Sequence, residues 1–180
     1  GLRVPLILTG APLNARPGLS HAFAWATDIT PTILSIAGVD QPGLRYAGRP
    51  VLPISGKDLL PITRGEVDRV YGEDDGVGYE LPGHAAFFQG DYKLVRNTPP
   101  LGDGEWHLYN IVMDPGEVSN LKELEPLRFE DLLSGYEEFA RENGVMPLPP
   151  GYSRSGQLMS NFAVGSLRDG IVVLLLTLLI

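Results

Sequence analysis

Three histidines, His21, His84 and His107, are the side chains of this sequence that titrate near neutral pH without help from their surroundings. They lie far apart, and none falls in the HxH, HxxxH or HExxH spacing that would bring two imidazoles onto one metal. His107, between Trp106 and Leu108, reads as an outward-facing strand residue. His84, directly after Pro82-Gly83 at the mouth of a strand, is the better candidate for a pocket. Nucleophiles are scarce. Cysteine is absent, which removes thiolate catalysis, disulfides, zinc-thiolate sites and iron–sulfur clusters. No GxSxG string presents a serine on a strand-to-helix elbow, and no GxGxxG joins a strand to a helix N-terminus that would receive a pyrophosphate. Glu73-Asp74-Asp75 before Gly76 has the composition of half a calcium loop without the ligand spacing of an EF-hand, and reads as a solvated turn. Lys93 reads as a strand residue paired across a sheet. Lys plus Arg number 14 against 22 Asp plus Glu, a net charge of -8, so no basic surface is at hand to bind nucleic acid by counterion release.

The elements that must carry these residues follow from periodicity. Residues 4 to 9 are an apolar run of strand length, the pattern of a strand covered on both faces in an α/β sheet. Within 22 to 39, Ile29, Ile33, Ile36 and Ala37 recur at helical spacing, with Thr30 before Pro31 or else Asp28 as the cap and Gly38 as the stop. Residues 40 to 65 hold Pro42, Pro50, Pro53, Pro61 and four glycines, and read as a connector without a long regular element. Three strands are expected beyond it: Val67 to Glu73, Ala85 to Arg96 broken into a hairpin at Gln89-Gly90-Asp91-Tyr92, and Trp106 to Val112. Leu121, Leu124, Leu127, Leu132, Leu133, Tyr136, Phe139 and Ala140 form the apolar stripe of one long helix ended by Asn143-Gly144. The fold class expected is thus an α/β piece, one strand and one helix, followed by an α+β unit of a small antiparallel sheet and one long helix. The domains implied are 1–39, 40–146, and a Pro/Gly-rich tail over 147–180 that reads as poorly ordered. Its last ten residues are apolar except Thr177 and, as a helix of about 15 Å, are too short to span a bilayer. Gly1 followed directly by an apolar run reads as a start in mid-protein.

Five strings in order resemble the sulfatases. Gly1-Leu2-Arg3-Val4-Pro5-Leu6-Ile7 is similar to a Gly-Gly-Ile-Arg-Val-Pro segment of that family, and Thr27-Asp28-Ile29-Thr30-Pro31-Thr32-Ile33-Leu34 with Ala37-Gly38-Val39 to the helix after it. Gly90-Asp91-Tyr92-Lys93-Leu94-Val95, Trp106-His107-Leu108-Tyr109-Asn110, and Asp114-Pro115-Gly116-Glu117 with Asn120-Leu121 resemble its C-terminal subdomain. The length of Gly78 to Lys93 further resembles the bacterial arylsulfatases.

The resemblance implies the last strand and helix of an alkaline-phosphatase-superfamily α/β domain, followed by the sulfatase C-terminal subdomain. It implies hydrolysis of sulfate esters, on small molecules or glycans, by a formylglycine made from Cys or Ser in C/S-x-P-x-R and assisted by calcium. Neither belongs to this stretch: the one P-x-R string, Leu124-Glu125-Pro126-Leu127-Arg128, has Leu at the nucleophile position, and the family's calcium ligands come from earlier segments. The implied partner is therefore the missing N-terminal catalytic part, without which the chain is inert. Arg3 is expected to pack behind the active site. His84 stands where many relatives carry another basic residue and is expected to touch the organic part of the substrate. Two other readings remain open, a noncatalytic interaction module or sulfatase remnant, and a fragment of a related phosphodiester or phosphonate hydrolase.

Overall fold

The computed structural model describes residues 4–10, 13, 16–81, 83–153 and 155–164. The chain divides into two compact units, Gly1–Asp75 and Gly76–Ile180.

In the first unit a 3-10 turn, Ala26–Asp28, leads into α1, Ile29–Ala37. Asp28, not Thr30, stands at the N-cap position, and Thr32 Oγ1 donates to the Asp28 carbonyl at 2.6 Å. Gly38 ends the helix in the left-handed conformation, φ 64°, as its position after the last apolar residue implies. The connector carries a two-residue ladder, β1 (Arg45–Tyr46) with β2 (Arg49–Pro50), and one short helix, α2 (Leu60–Arg64), stopped by Gly65. In this unit Leu13, Leu59 and Leu60 are buried apolar side chains. At Gly56 the chain runs so close to α1's approach that a Cβ would lie 2.1 Å from the Thr27 carbonyl oxygen, so no other residue fits there. Residues 4–9 differ from expectation: they form no strand, and Val4, Leu6, Ile7 and Leu8 are exposed. A strand exists only through its ladder. Among the described residues none pairs with this run, whose apolar character persists without a cover. The outer face of α1, with Ile29, Ile33 and Ile36, is likewise exposed. Arg3 lies outside the described residues.

The second unit is a four-stranded antiparallel meander: β3 (Gly76–Leu81), β4 (His84–Gln89), β5 (Tyr92–Arg96) and β6 (Trp106–Asn110), in sequence order. The hairpin at Gly90-Asp91 is as expected, with Gln89 opposite Tyr92 and Gly90 at φ 56°. One register row runs Gly78, Phe87, Leu94, Leu108 across all four strands. Helix α3, Pro126–Glu142, lays Leu132 and Tyr136 on this row, and together with Ala85 these make the core. The helix begins later than its apolar stripe, because Leu121 and Leu124 belong to the turn before Pro126, whose fixed φ suits a first helical position.

The first strand was expected over Val67–Glu73, where β-branched and aromatic residues gather; the structure puts none there and uses the glycine-rich 76–81 instead. The reason is the closeness of the helix. A Cβ on Gly78 would sit 2.2 Å from the Phe139 ring, and one on Gly135 of α3 would sit 2.6 Å from the Phe87 ring. Gly78 and Gly135 are what lets helix and sheet touch. Residues 155–164 are helical, where a poorly ordered tail was expected; the apolar stretch 171–180 lies outside the described residues.

Candidate functional site

Each unit concentrates its polar chemistry in one place. In the first, Asp28 is fully buried and its carboxylate gathers three donors: the Trp25 N–H on Oδ2 at 2.6 Å, and the Lys57 N–H at 2.8 Å and Tyr71 hydroxyl at 2.5 Å on Oδ1. Thr32 extends the set by accepting the Leu59 N–H at 2.9 Å. Burial first, and then the bond to Asp28, push the Tyr71 hydroxyl well above its ordinary range. Lys57 Nζ lies 4.9 Å over the Tyr71 ring and pairs with Asp75, whose carboxyl is lowered chiefly by that bond and then by the Gly72 N–H. The acidic run 73–75 is thus partly engaged rather than simply solvated. These bonds join residues 25, 28, 32, 57, 59 and 71 and so fix the approach to α1.

In the second unit an open depression of about 370 Å³ is lined by Val95, Asn97, Leu101, Asp103, His107, Tyr109 and Glu117, among others. Tyr109 and His107 alternate with Leu108 along β6, so both point away from the face that Leu108 presents to α3. Lys93, directly opposite Tyr109 in the ladder, is buried, and its Nζ donates to both Glu117 oxygens at 2.6 and 2.7 Å. Glu117 reaches it from a left-handed conformation, φ 55°, uncommon for a residue with a Cβ. Asp114 holds the same loop by accepting the Val118 and Ser119 N–H groups at 2.8 Å each. Burial, then the charges of Glu117, Asp103 and Asp114, raise the Tyr109 hydroxyl. His107 Nε2 lies 3.0 Å from both Asp103 oxygens, and its Nδ1 lies 2.9 Å from Asn120 Nδ2. Both ring nitrogens are thus engaged by neighbouring side chains of the chain itself.

His84 is elsewhere. It opens β4 opposite Leu81, is 7% exposed, and its Nδ1 is buried without a hydrogen-bond partner among the described residues. The structure does not bring His21, His84 and His107 into one hydrogen-bonded group. Nothing in sequence spacing flagged the Lys93–Glu117 pair, 24 residues apart, or the Asp28–Tyr71 bond, 43 apart. The one local signal was Asp114-Pro115-Gly116-Glu117, whose glycine and proline mark the turn that aims Glu117.

Neither group implied by the resemblance fits these residues. Calcium takes six to eight oxygen ligands, and among the described residues no three His, Cys, Asp or Glu side chains stand together to hold a metal. Formylglycine has no precursor here, since the chain has no cysteine and no serine in S-x-P-x-R.

No family model matches the chain. Over 150 residues, 83% of its length, it is 33% identical to a protein of the fission yeast Schizosaccharomyces pombe named as an uncharacterized sulfatase, and it spans about a quarter, 27%, of that protein. Among solved structures, one named as a complex with its substrate D-glucosamine-2-N,6-O-disulfate is 24% identical, with a TM-score of 0.43 over 63% of this chain and 23% of its own. A Bacteroides thetaiotaomicron protein from a locus for the metabolism of multiple glycosaminoglycans is 17% identical, with a TM-score of 0.47 over 62% of this chain and 24% of its own. A third, named Ps i-CgsB, has 17% identity and a TM-score of 0.48 over 77% of this chain and 28% of its own. With 33% identity to a named sulfatase over 83% of its length, the chain belongs to the sulfatase family.

Proposed function

We propose that this chain is the C-terminal part of an arylsulfatase-type sulfuric ester hydrolase. The observation that carries the reading is the 33% identity to a named sulfatase, extending over 83% of this chain but only 27% of that protein. The exposed apolar run 4–8 and the exposed Ile29, Ile33 and Ile36 of α1 support it, since faces of that kind are covered by the rest of an α/β domain in larger proteins. In this reading the large domain belongs to the alkaline phosphatase superfamily and holds the formylglycine and the calcium. The present chain completes the fold, and alone it is inert. The substrate is a sulfate ester of a small molecule or a glycan, and His84 contacts its organic part; its buried Nδ1, without a hydrogen-bond partner among the described residues, is a group that a ligand would satisfy.

The experiment joins the chain to its upstream coding sequence and assays 4-nitrophenyl sulfate and 4-nitrophenyl phosphate side by side. The joined protein is expected to hydrolyse the sulfate and the isolated chain neither. Preference for the phosphate would move the protein to the phosphoester hydrolases. A native protein near 19.5 kDa in its source cell would replace the enzyme by a noncatalytic module. For His84, a His84→Ala variant should raise KM for a glycan sulfate with kcat little changed, and an unchanged KM removes the residue from the site.

A further inference from the structure

The Asp103–His107–Asn120 chain has ends of opposite chemistry. Asn120 Oδ1 accepts the backbone N–H of Leu108 at 3.0 Å and of Lys122 at 3.1 Å, which turns its amide nitrogen toward His107 Nδ1, 2.9 Å away. That nitrogen only donates, so Nδ1 must accept, and the single ring proton sits on Nε2 facing Asp103. The neutral imidazole satisfies both neighbours. The cation cannot: a second proton lands on Nδ1 against an NH₂ group. Asn120 must then withdraw, or rotate and turn its NH₂ onto two backbone N–H groups, and either movement gives up its bonds to Leu108 and Lys122. Asp103, by contrast, gains. Its carboxyl is held below the usual range by the Glu105 N–H and then by His107, so it stays ionised as the ring takes up a proton.

We propose that His107 is a proton-operated clasp. Neutral, it ties the loop carrying Asp103 to the turn carrying Asn120; protonated, it tightens on Asp103 and releases Asn120 from β6. The other ionisable groups around the ring leave this exchange intact. Tyr109, its near-parallel neighbour at 6.3 Å, is shifted upward, away from the range in which imidazole titrates. Glu117 is matched by Lys93 of β5, Glu105 is exposed to solvent, and Asp114 spends its side chain on Val118 and Ser119. Acidification therefore loosens the link between β6 and the approach to α3 while the wall of the depression formed by Asp103 stays closed.

The test follows amide exchange and imidazole ¹⁵N shifts from pH 8 to pH 5, in a purified protein containing residues 1–180 in full. At the alkaline end the ¹⁵N pattern should show the Nε2–H tautomer. Through the imidazole midpoint, protection factors at the Leu108 and Lys122 amides should fall about fivefold to tenfold, the size of one lost neutral hydrogen bond, relative to Leu94 in the same sheet. In Asn120→Asp the carboxylate accepts from the protonated Nδ1 as well as from both amides, so the fall should vanish or reverse. Constant protection in the parent protein, an equal fall in Asn120→Asp, or an Nδ1–H tautomer at pH 8 would each overturn the clasp.

Discussion

Asp28 shows how much one side chain organises when it is buried and ionisable. Three donors from residues 25, 57 and 71 converge on it. Asp28→Ala leaves two backbone N–H groups and a tyrosine hydroxyl to find other partners, and bonds to a charged acceptor are worth about 1.5–3 kcal/mol each. The expected result is a loss of about 3 kcal/mol or more, read as a lower urea midpoint with an unchanged slope. Tyrosines give the pH dependence. Burial and then the bond to Glu80, at 2.8 Å, raise Tyr136 from 10.0 to about 12, and Tyr71 moves in the same direction. A folded-state pKa raised above the unfolded one means that the contribution is fully present below pH 10 and is lost as pH climbs toward 12. Tyrosinate absorbance should therefore rise late, together with unfolding, and Tyr136→Phe should flatten that part of the stability profile. Asp28 was legible as a cap because capping is local. Its bonds to Lys57 and Tyr71 were not, since no short-range pattern couples residues 29 and 43 apart.

At the scale of elements, the sheet and α3 meet through small residues. Gly78→Ala and Gly135→Ala each drive a methyl group into a phenylalanine ring, and overpacking of this kind costs about 1–3 kcal/mol. Leu132→Ala, which empties a fully buried position instead, should cost about 2–5 kcal/mol. Denaturant titration of the three variants checks both signs of volume change at one interface. The β4–β5 hairpin and β6 were legible because alternation and a Gly-Asp turn are written locally. β3 was not, because its sequence answers to Phe87 and Phe139 rather than to strand propensity. The short helix α2 escaped notice for a related reason: Pro61 and the flanking Gly56 and Gly65 dominate its neighbourhood, and Leu59 and Leu60 are fixed by burial rather than by periodicity.

For the molecule as a whole, the exposed side chains say more than the buried ones. Val4, Ile7 and Ile33, the last 57% exposed, lie in the first unit on surfaces patterned for burial. The isolated chain is expected to self-associate, and Ile33→Lys with Ile29→Lys should increase its monomer fraction in light scattering; a parent chain that is already monodisperse would count against the proposed missing domain. No helix among the described residues is long and apolar enough to cross a membrane.

The meander has a consequence in time. Because β3, β4, β5 and β6 pair only with their neighbours in the chain, and α3 follows directly, the second unit forms mostly from contacts of short sequence separation. Such topologies close small loops first and fold fast. During synthesis this unit is expected to take shape as soon as its own residues emerge, without waiting on the exposed apolar surfaces of the first unit to find their cover.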